Sequence, residues 1–183
     1  MSAPVALPQI SYTDPGFDAA FMASLQEYGF AAVVDHPLDG DRVARIYGEW
    51  LAFFSSGEAA DFSMDPVKQD GYFSLREAEH AKGFVERDFK EYFQFYPWGR
   101  CPESLQADLA SHFDAAVDLG AELLSCIAKS LPEAVTTELT EPLRDMIQGS
   151  EQSMLRVLHY PPVPVGQSVL RAAPHEDINL LTL

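Results

Sequence analysis

The sequence predicts an α+β protein: a mainly helical region over residues 1–150, followed over residues 151–183 by the first strands of a sheet that stays incomplete. Three observations carry this expectation. Apolar residues recur at helical spacing in three separate segments before residue 132. After Gly149 the texture changes to short extended runs bounded by prolines. No Gly/Ser/Pro-rich linker separates the two textures, so they read as one α+β unit.

Residues 7–11 form a short apolar segment, and Asp14-Pro15-Gly16 reads as a turn in which Asp14 caps the next helix. Phe17, Phe21, Leu25 and Tyr28 mark that helix, which Gly29 terminates. Residues 30–34 are a continuous apolar run of strand length, expected to be buried. Over residues 39–54, Val43, Ile46, Tyr47, Trp50 and Phe54 form one wide stripe, expected to pack on the sheet. Residues 55–100 are rich in aromatics with poor periodicity and read as short helices and ordered loops. Residues 102–131 return to a long amphipathic helix, and residues 133–150 to a weaker helical region broken by Pro142. Residues 153–160 read as a strand. After the prolines at 161, 162 and 164 come two further extended pieces, the last over residues 178–183 with no turn signal behind it.

Composition narrows the function. The 12 basic residues against 28 acidic ones leave a formal charge of −16, which repels nucleic-acid phosphates and anionic membrane surfaces. A small molecule or a metal cation suits this charge better. No apolar run approaches the ~20 residues of a membrane span, and the charged start of a secretory signal is missing. Cys101 and Cys126 are too few for a disulfide framework and too far apart for a paired-cysteine zinc knuckle. The expectation is a cytoplasmic protein with two buried thiols.

The residues that carry chemistry lie near the end. In an extended segment His175 and Asp177 point to one side and Glu176 to the other. An imidazole and a carboxylate on one face are two ligands of the facial set that holds non-haem Fe(II), with a second His supplied from elsewhere. In the strand before them, alternation places Arg156, Leu158 and Tyr160 on one face and Leu155, Val157 and His159 on the other. Arg156 and Tyr160 could hold an anionic carboxylate beside the metal; a surface ion pair and a packed phenol explain the same two residues equally well.

Gly29-Phe30-Ala31-Ala32-Val33-Val34-Asp35-His36, then Asp88-Phe89-Lys90-Glu91-Tyr92-Phe93, then Leu155-Arg156-Val157-Leu158-His159-Tyr160-Pro161-Pro162, then Pro174-His175-Glu176-Asp177 running into Leu180-Leu181-Thr182-Leu183 resemble, in order, the isopenicillin N synthase-like group of Fe(II)/2-oxoglutarate-dependent oxygenases. The resemblance implies a double-stranded β-helix (jelly roll) beginning within residues 151–183, an Fe(II) cofactor, 2-oxoglutarate and O₂ as co-substrates, and a small-molecule substrate. It implies His175 and Asp177 as metal ligands and Tyr160, with Arg156, as residues near 2-oxoglutarate. Leu158 stands where members often carry Asn, and His36 matches a mainly structural His. The family's distal His and its Arg-x-Ser motif have no counterpart among the remaining residues: His36, His80, His112 and His159 all lie upstream.

The expectation is therefore the front part of a longer oxygenase, inactive as 183 residues, with sheet edges open to self-association. A jelly roll of about eight strands needs more chain than this. The competing readings are a non-catalytic acidic interaction module or pseudoenzyme completed by a partner chain, and a zinc hydrolase using the same His and Asp.

Overall fold

The computed structural model describes residues 6–77, 88–166, 168–175 and 177–183. In chain order these hold β1 (Gln9–Ser11), α1 (Phe17–Tyr28), β2 (Ala32–Val34), α2 (Gly40–Ser56), a 3-10 turn (Glu58–Phe62), β3 (Gly71–Phe73), β4 (Glu91–Phe95), α3 (Glu103–Ser130), α4 (Glu133–Thr136) and β5 (Leu155–His159). The α+β expectation holds, with no closed barrel among the described residues. His80 and Phe84 lie outside the described residues, as does Glu176.

Contacts divide the chain into two units. The first holds residues 6–38, 115–149 and Leu183. Here β1 and β2 pair in parallel, Ile10 opposite Val33. α1 runs over the residues its periodicity marked, and Gly29 closes it at φ 74°, donating its N–H to the Leu25 carbonyl at 2.9 Å. Asp14 does not cap this helix: its carboxylate accepts the Gly16 N–H at 2.7 Å, forming a turn just ahead of it. Phe17 and Phe21 stack at 5.4 Å, and the Lys129 ammonium meets the Asp18 carboxylate at 2.6 Å, joining α1 to the last turn of α3. The run at residues 30–34 is not the buried strand its composition suggests: β2 is half-buried, and Phe30 is 70% exposed. A two-stranded sheet has no second layer of strands to cover both faces of such a run.

The second unit holds the described residues of 39–114 and 150–182. Asp39 caps α2 by accepting the Asp41 and Arg42 N–H groups at 2.9 and 3.1 Å. β3, β4 and β5 form an antiparallel sheet in that order, with Phe73 opposite Tyr92, and Phe93 opposite Val157. The aromatic stretch before residue 100 is thus partly sheet, not only helix and loop. Its apolar residues adjoin one another because β4, as the central strand, is buried on both faces and needs no alternation. α2 covers one face: Trp50 and Phe53 lie 4.8 and 5.9 Å from the Phe93 ring. Phe53 replaces Tyr47 in the expected stripe, and Tyr47 is 71% exposed. β5 therefore completes the sheet begun by β3 and β4.

Beyond β5 the two extended pieces form no ladder. Residues 178–183 have strand composition, but no described strand offers them N–H and C=O partners. Asn179 instead donates to the Leu181 carbonyl and the Thr182 hydroxyl, and Ile178 and Leu180 remain exposed. A buried ion pair fastens the stretch before them to the sheet. Lys90 Nζ lies 2.9 Å from Asp88 Oδ2, the Ala173 N–H donates to Asp88 Oδ1 at 3.0 Å, and the Phe89 N–H donates to the Leu170 carbonyl at 2.7 Å. Burial alone raises an acid's pKa, but the Lys90 ammonium and the Ala173 N–H outweigh it and hold Asp88 below the usual carboxylate range.

Two outcomes are expected. Gly71 sits at φ 103°, and a Cβ there would lie 2.5 Å from the Phe62 carbonyl oxygen; Gly71→Ala is predicted to lower unfolding free energy by about 2 kcal/mol in urea titration. Because the Asp88 pKa is depressed on folding, its stabilisation is present above about pH 4 and is lost as pH falls through the folded value. The stability gap between wild type and Asp88→Asn is therefore expected to be constant above about pH 5 and to narrow below about pH 4.

Candidate functional site

The site is built from two pieces of the second unit: the face of the sheet turned away from α2, and the stretch from Ala173 to Asp177. Strand register decides the first. Glu91, Phe93 and Phe95 turn toward α2 and α3, leaving Tyr92 and Gln94 on the opposite face with Arg156 and Leu158 of β5 across from them. On that face Phe73 stacks on Tyr92 at 4.6 Å, the Arg156 guanidinium lies 4.7 Å from the Tyr92 ring centroid and donates to the Gln94 side-chain oxygen, and the Lys90 ammonium lies 6.0 Å from the same ring. The face thus gathers two cations around one phenol. Tyr160 follows the end of β5 and is half-buried.

His159 belongs to the other face, as alternation predicted. Its ring stacks on Phe54 at 5.3 Å, and its Nδ1 lies 2.7 Å from Glu91 Oε1. Glu91 also accepts the Tyr72 hydroxyl, and burial first, then this carboxylate, raises the Tyr72 pKa well above the ordinary phenol value. His36 is exposed, and His112 is pushed toward its neutral form by burial and by Arg42. Burial pushes the thiols of Cys101 and Cys126 up to about 12 and about 11, so both remain protonated and poorly nucleophilic near neutral pH.

The structure brings His175 and Asp177 together. His175 Nε2 lies 3.6 Å from Asp177 Oδ1, and both side chains are more than half exposed. His175 Nδ1 lies 2.8 Å from the Ala173 carbonyl oxygen. A carbonyl only accepts, so Nδ1 carries a hydrogen; in the neutral imidazole the Nε2 lone pair then faces Asp177. Two Lewis-basic atoms then confront each other at a distance too long for a hydrogen bond and shorter than two metal–ligand bonds of about 2.1 Å each. Such a pair is relieved by a cation between the two. The ring nitrogen opposite the open lone pair is held by a carbonyl, the usual second contact of a metal-binding His. The donor set therefore fits a metal ion. Among the described residues no third His, Cys, Asp or Glu joins the pair. Asp88 and Lys90, which the motif contained without a role, prove to anchor the backbone just before His175. The signal available in sequence was an acid and a base two residues apart at the mouth of an apolar strand.

Similarity to known proteins is consistent along the chain. No family model matches it. Gibberellin 2-beta-dioxygenase 1 of Pisum sativum is 20% identical over 189 residues, covering 97% of this chain and 56% of its own length. The 2-oxoglutarate-dependent dioxygenase ucsF of an Acremonium species is 27% identical over 195 residues, covering 90% and 56%. The chain spans about half the length of the curated relatives it matches. Among solved structures, a candidate oxygenase from Shewanella oneidensis superposes with a TM-score of 0.85 at 40% identity, over 96% of this chain and 64% of that one. A candidate 2-oxoglutarate–Fe(II) oxygenase family protein from Caulobacter crescentus gives 0.67 at 26% identity, over 95% and 62%. In sequence the chain is similar to proteins named as 2-oxoglutarate-dependent dioxygenases, and in fold to proteins named as oxygenases, one of them of the 2-oxoglutarate–Fe(II) type.

Proposed function

We propose that the chain is the N-terminal portion of an Fe(II)- and 2-oxoglutarate-dependent oxygenase that acts with O₂ on a small-molecule substrate, and that residues 151–183 open its jelly roll. The observation that carries this reading is the convergence of His175 Nε2 and Asp177 Oδ1 with the imidazole tautomer held by Ala173. The coverage of the relatives supports the rest: each extends well beyond the matched region. Fe(II) and 2-oxoglutarate, when bound, supply an oxidative decarboxylation that drives oxidation of the substrate. His175 and Asp177 hold the metal from one side. The third protein ligand and the cation for the far carboxylate of 2-oxoglutarate belong to polypeptide outside these 183 residues.

Tyr160 is the proposed hydroxyl donor to 2-oxoglutarate, and Arg156 adds positive potential from the sheet face while its guanidinium stays bonded to Gln94 and stacked on Tyr92. Leu158, at the position where members often carry Asn, can give no polar contact and leaves that share to Tyr160. The apolar wall of Tyr92 and Phe73 on the same face excludes water from it.

A second reading, an acidic module that associates through its sheet, draws on one observation. α2 and β5, the edge strand of the described sheet, enclose a groove of about 370 Å³ lined by Tyr47, Leu51, Phe54 and Val157, and Tyr47 and Leu51 are exposed. Edge strands with such flanks pair with other chains. In sedimentation velocity this reading expects concentration-dependent dimers that Leu51→Lys abolishes, with metal binding untouched.

Anaerobic titration separates the two. The 183-residue chain is expected to bind one Mn(II) or Fe(II), with affinity falling by about 100-fold or more in His175→Ala and clearly in Asp177→Asn; binding that survives His175→Ala refutes the assignment. The same chain is expected to release no succinate from 2-oxoglutarate, while a polypeptide extended to the length of the relatives does so and loses the activity in Asp177→Asn.

A further inference from the structure

His175 and Asp177 stand on a stretch with no ladder and no helix among its described residues, and their side chains are exposed. Nothing in the local secondary structure fixes the direction of the imidazole, yet its tautomer decides whether Nε2 can accept a metal. The contacts that hold it lead back to the residues before β4. Ala173 is buried, its N–H donates to Asp88 Oδ1 at 3.0 Å, and its carbonyl accepts from His175 Nδ1 at 2.8 Å. Pro174 comes next, and a residue before proline is restricted to extended ψ. With ψ restricted, gripping the N–H of Ala173 also sets the direction of its carbonyl. The Phe89 N–H to the Leu170 carbonyl, 2.7 Å, is a second clamp three residues upstream.

We propose that the Asp88 carboxylate, neutralised by Lys90, is the positioning group for His175: it holds Ala173 so that the Ala173 carbonyl keeps His175 as the Nδ1–H tautomer with Nε2 open. Asp88 touches neither substrate nor metal. The division of its oxygens is what makes this work, since Oδ2 takes the Lys90 ammonium at 2.9 Å and leaves Oδ1 for the peptide. The metal half of the inference rests on the reading of His175 as a ligand; the tautomer half does not.

The test therefore has two readouts, neither of them activity. Long-range ¹H–¹⁵N correlation spectra of the imidazoles, recorded at pH 8 without metal and assigned by the signal lost in His175→Gln, report the tautomer. Co(II) titration reports affinity. Wild type is expected to show His175 as Nδ1–H. Asp88→Asn keeps an oxygen for the Ala173 N–H and is expected to retain that tautomer. Asp88→Ala is expected to lose it and to bind Co(II) about 10- to 100-fold more weakly, the range for removing an outer contact of a metal ligand. Should Asp88→Ala leave Lys90 unpaired and the chain unfolded, the double variant Asp88→Leu with Lys90→Met replaces the buried pair by apolar groups, a change that folds tolerate, and is expected to lose the tautomer as well. Phe53→Leu, a truncation among Trp50, Phe54, Phe62 and Phe93, is the control and is expected to keep it.

Retention of Nδ1–H in a folded Asp88→Ala or in the double variant overturns the proposal, as does its loss in Asp88→Asn or in Phe53→Leu. A shifted tautomer in a chain whose wild type binds no Co(II) refutes the metal reading and leaves the positioning role standing. Metal binding lost in His175→Gln but undiminished in Asp88→Ala does the reverse.

Discussion

Strand β4 has to satisfy two environments at once, and most of the second unit is arranged around that constraint. Tyr92, Phe93 and Phe95 are almost wholly buried, so each successive side chain needs a partner on alternate faces. Toward the helices the partners are aromatic: Trp50 and Phe53 on Phe93, Phe113 on Phe95. On the opposite face they are an aromatic ring and charged groups, with Phe73, Arg156 and Lys90 all around Tyr92. The strand thus packs aromatics on one side and holds paired cations on the other, and the segment that carries His175 and Asp177 is tied to its leading end.

That leading end is where the energetics are least forgiving. Burying Asp88 and Lys90 costs each its hydration, and a pair of this kind repays the cost only when the remaining lone pairs are also bonded. Ala173 supplies that bond. The same contact that makes the ion pair tolerable therefore ties a segment without secondary structure to the leading end of the central strand of the sheet. Stability and site geometry are coupled through one carboxylate, which is why a change at residue 88 is expected to be felt at residue 175.

The pair of His175 and Asp177 is exposed, whereas the groups that orient it are buried. In the proposed role this division would leave the pair open to a metal from solution while the imidazole keeps one tautomer. A ligand that is free to rotate would sample orientations in which Nε2 is protonated or turned away, and the affinity of a site is reduced by the fraction of time it is not competent.

Local patterns in the sequence were enough for α1, α2, β5 and the long α3, because helical periodicity, strand alternation and a terminating Gly29 act over a few residues. The same is true of the opposite facing of Arg156 and His159, since two-residue alternation is a property of the chain itself. Tertiary structure decided the rest. Phe30, Ile178, Leu180 and Leu183 belong to runs with the composition of buried strands, yet they stay exposed because a strand is defined by neighbours that composition cannot supply. Glu91-Tyr92-Phe93-Gln94-Phe95 became a central strand because both faces found partners far away in sequence. Asp88 acquired its role from an N–H 85 residues downstream. Which residues are proposed as metal ligands was written locally; the backbone beside them is held by a long-range contact, and only the folded chain brings those atoms within hydrogen-bond reach.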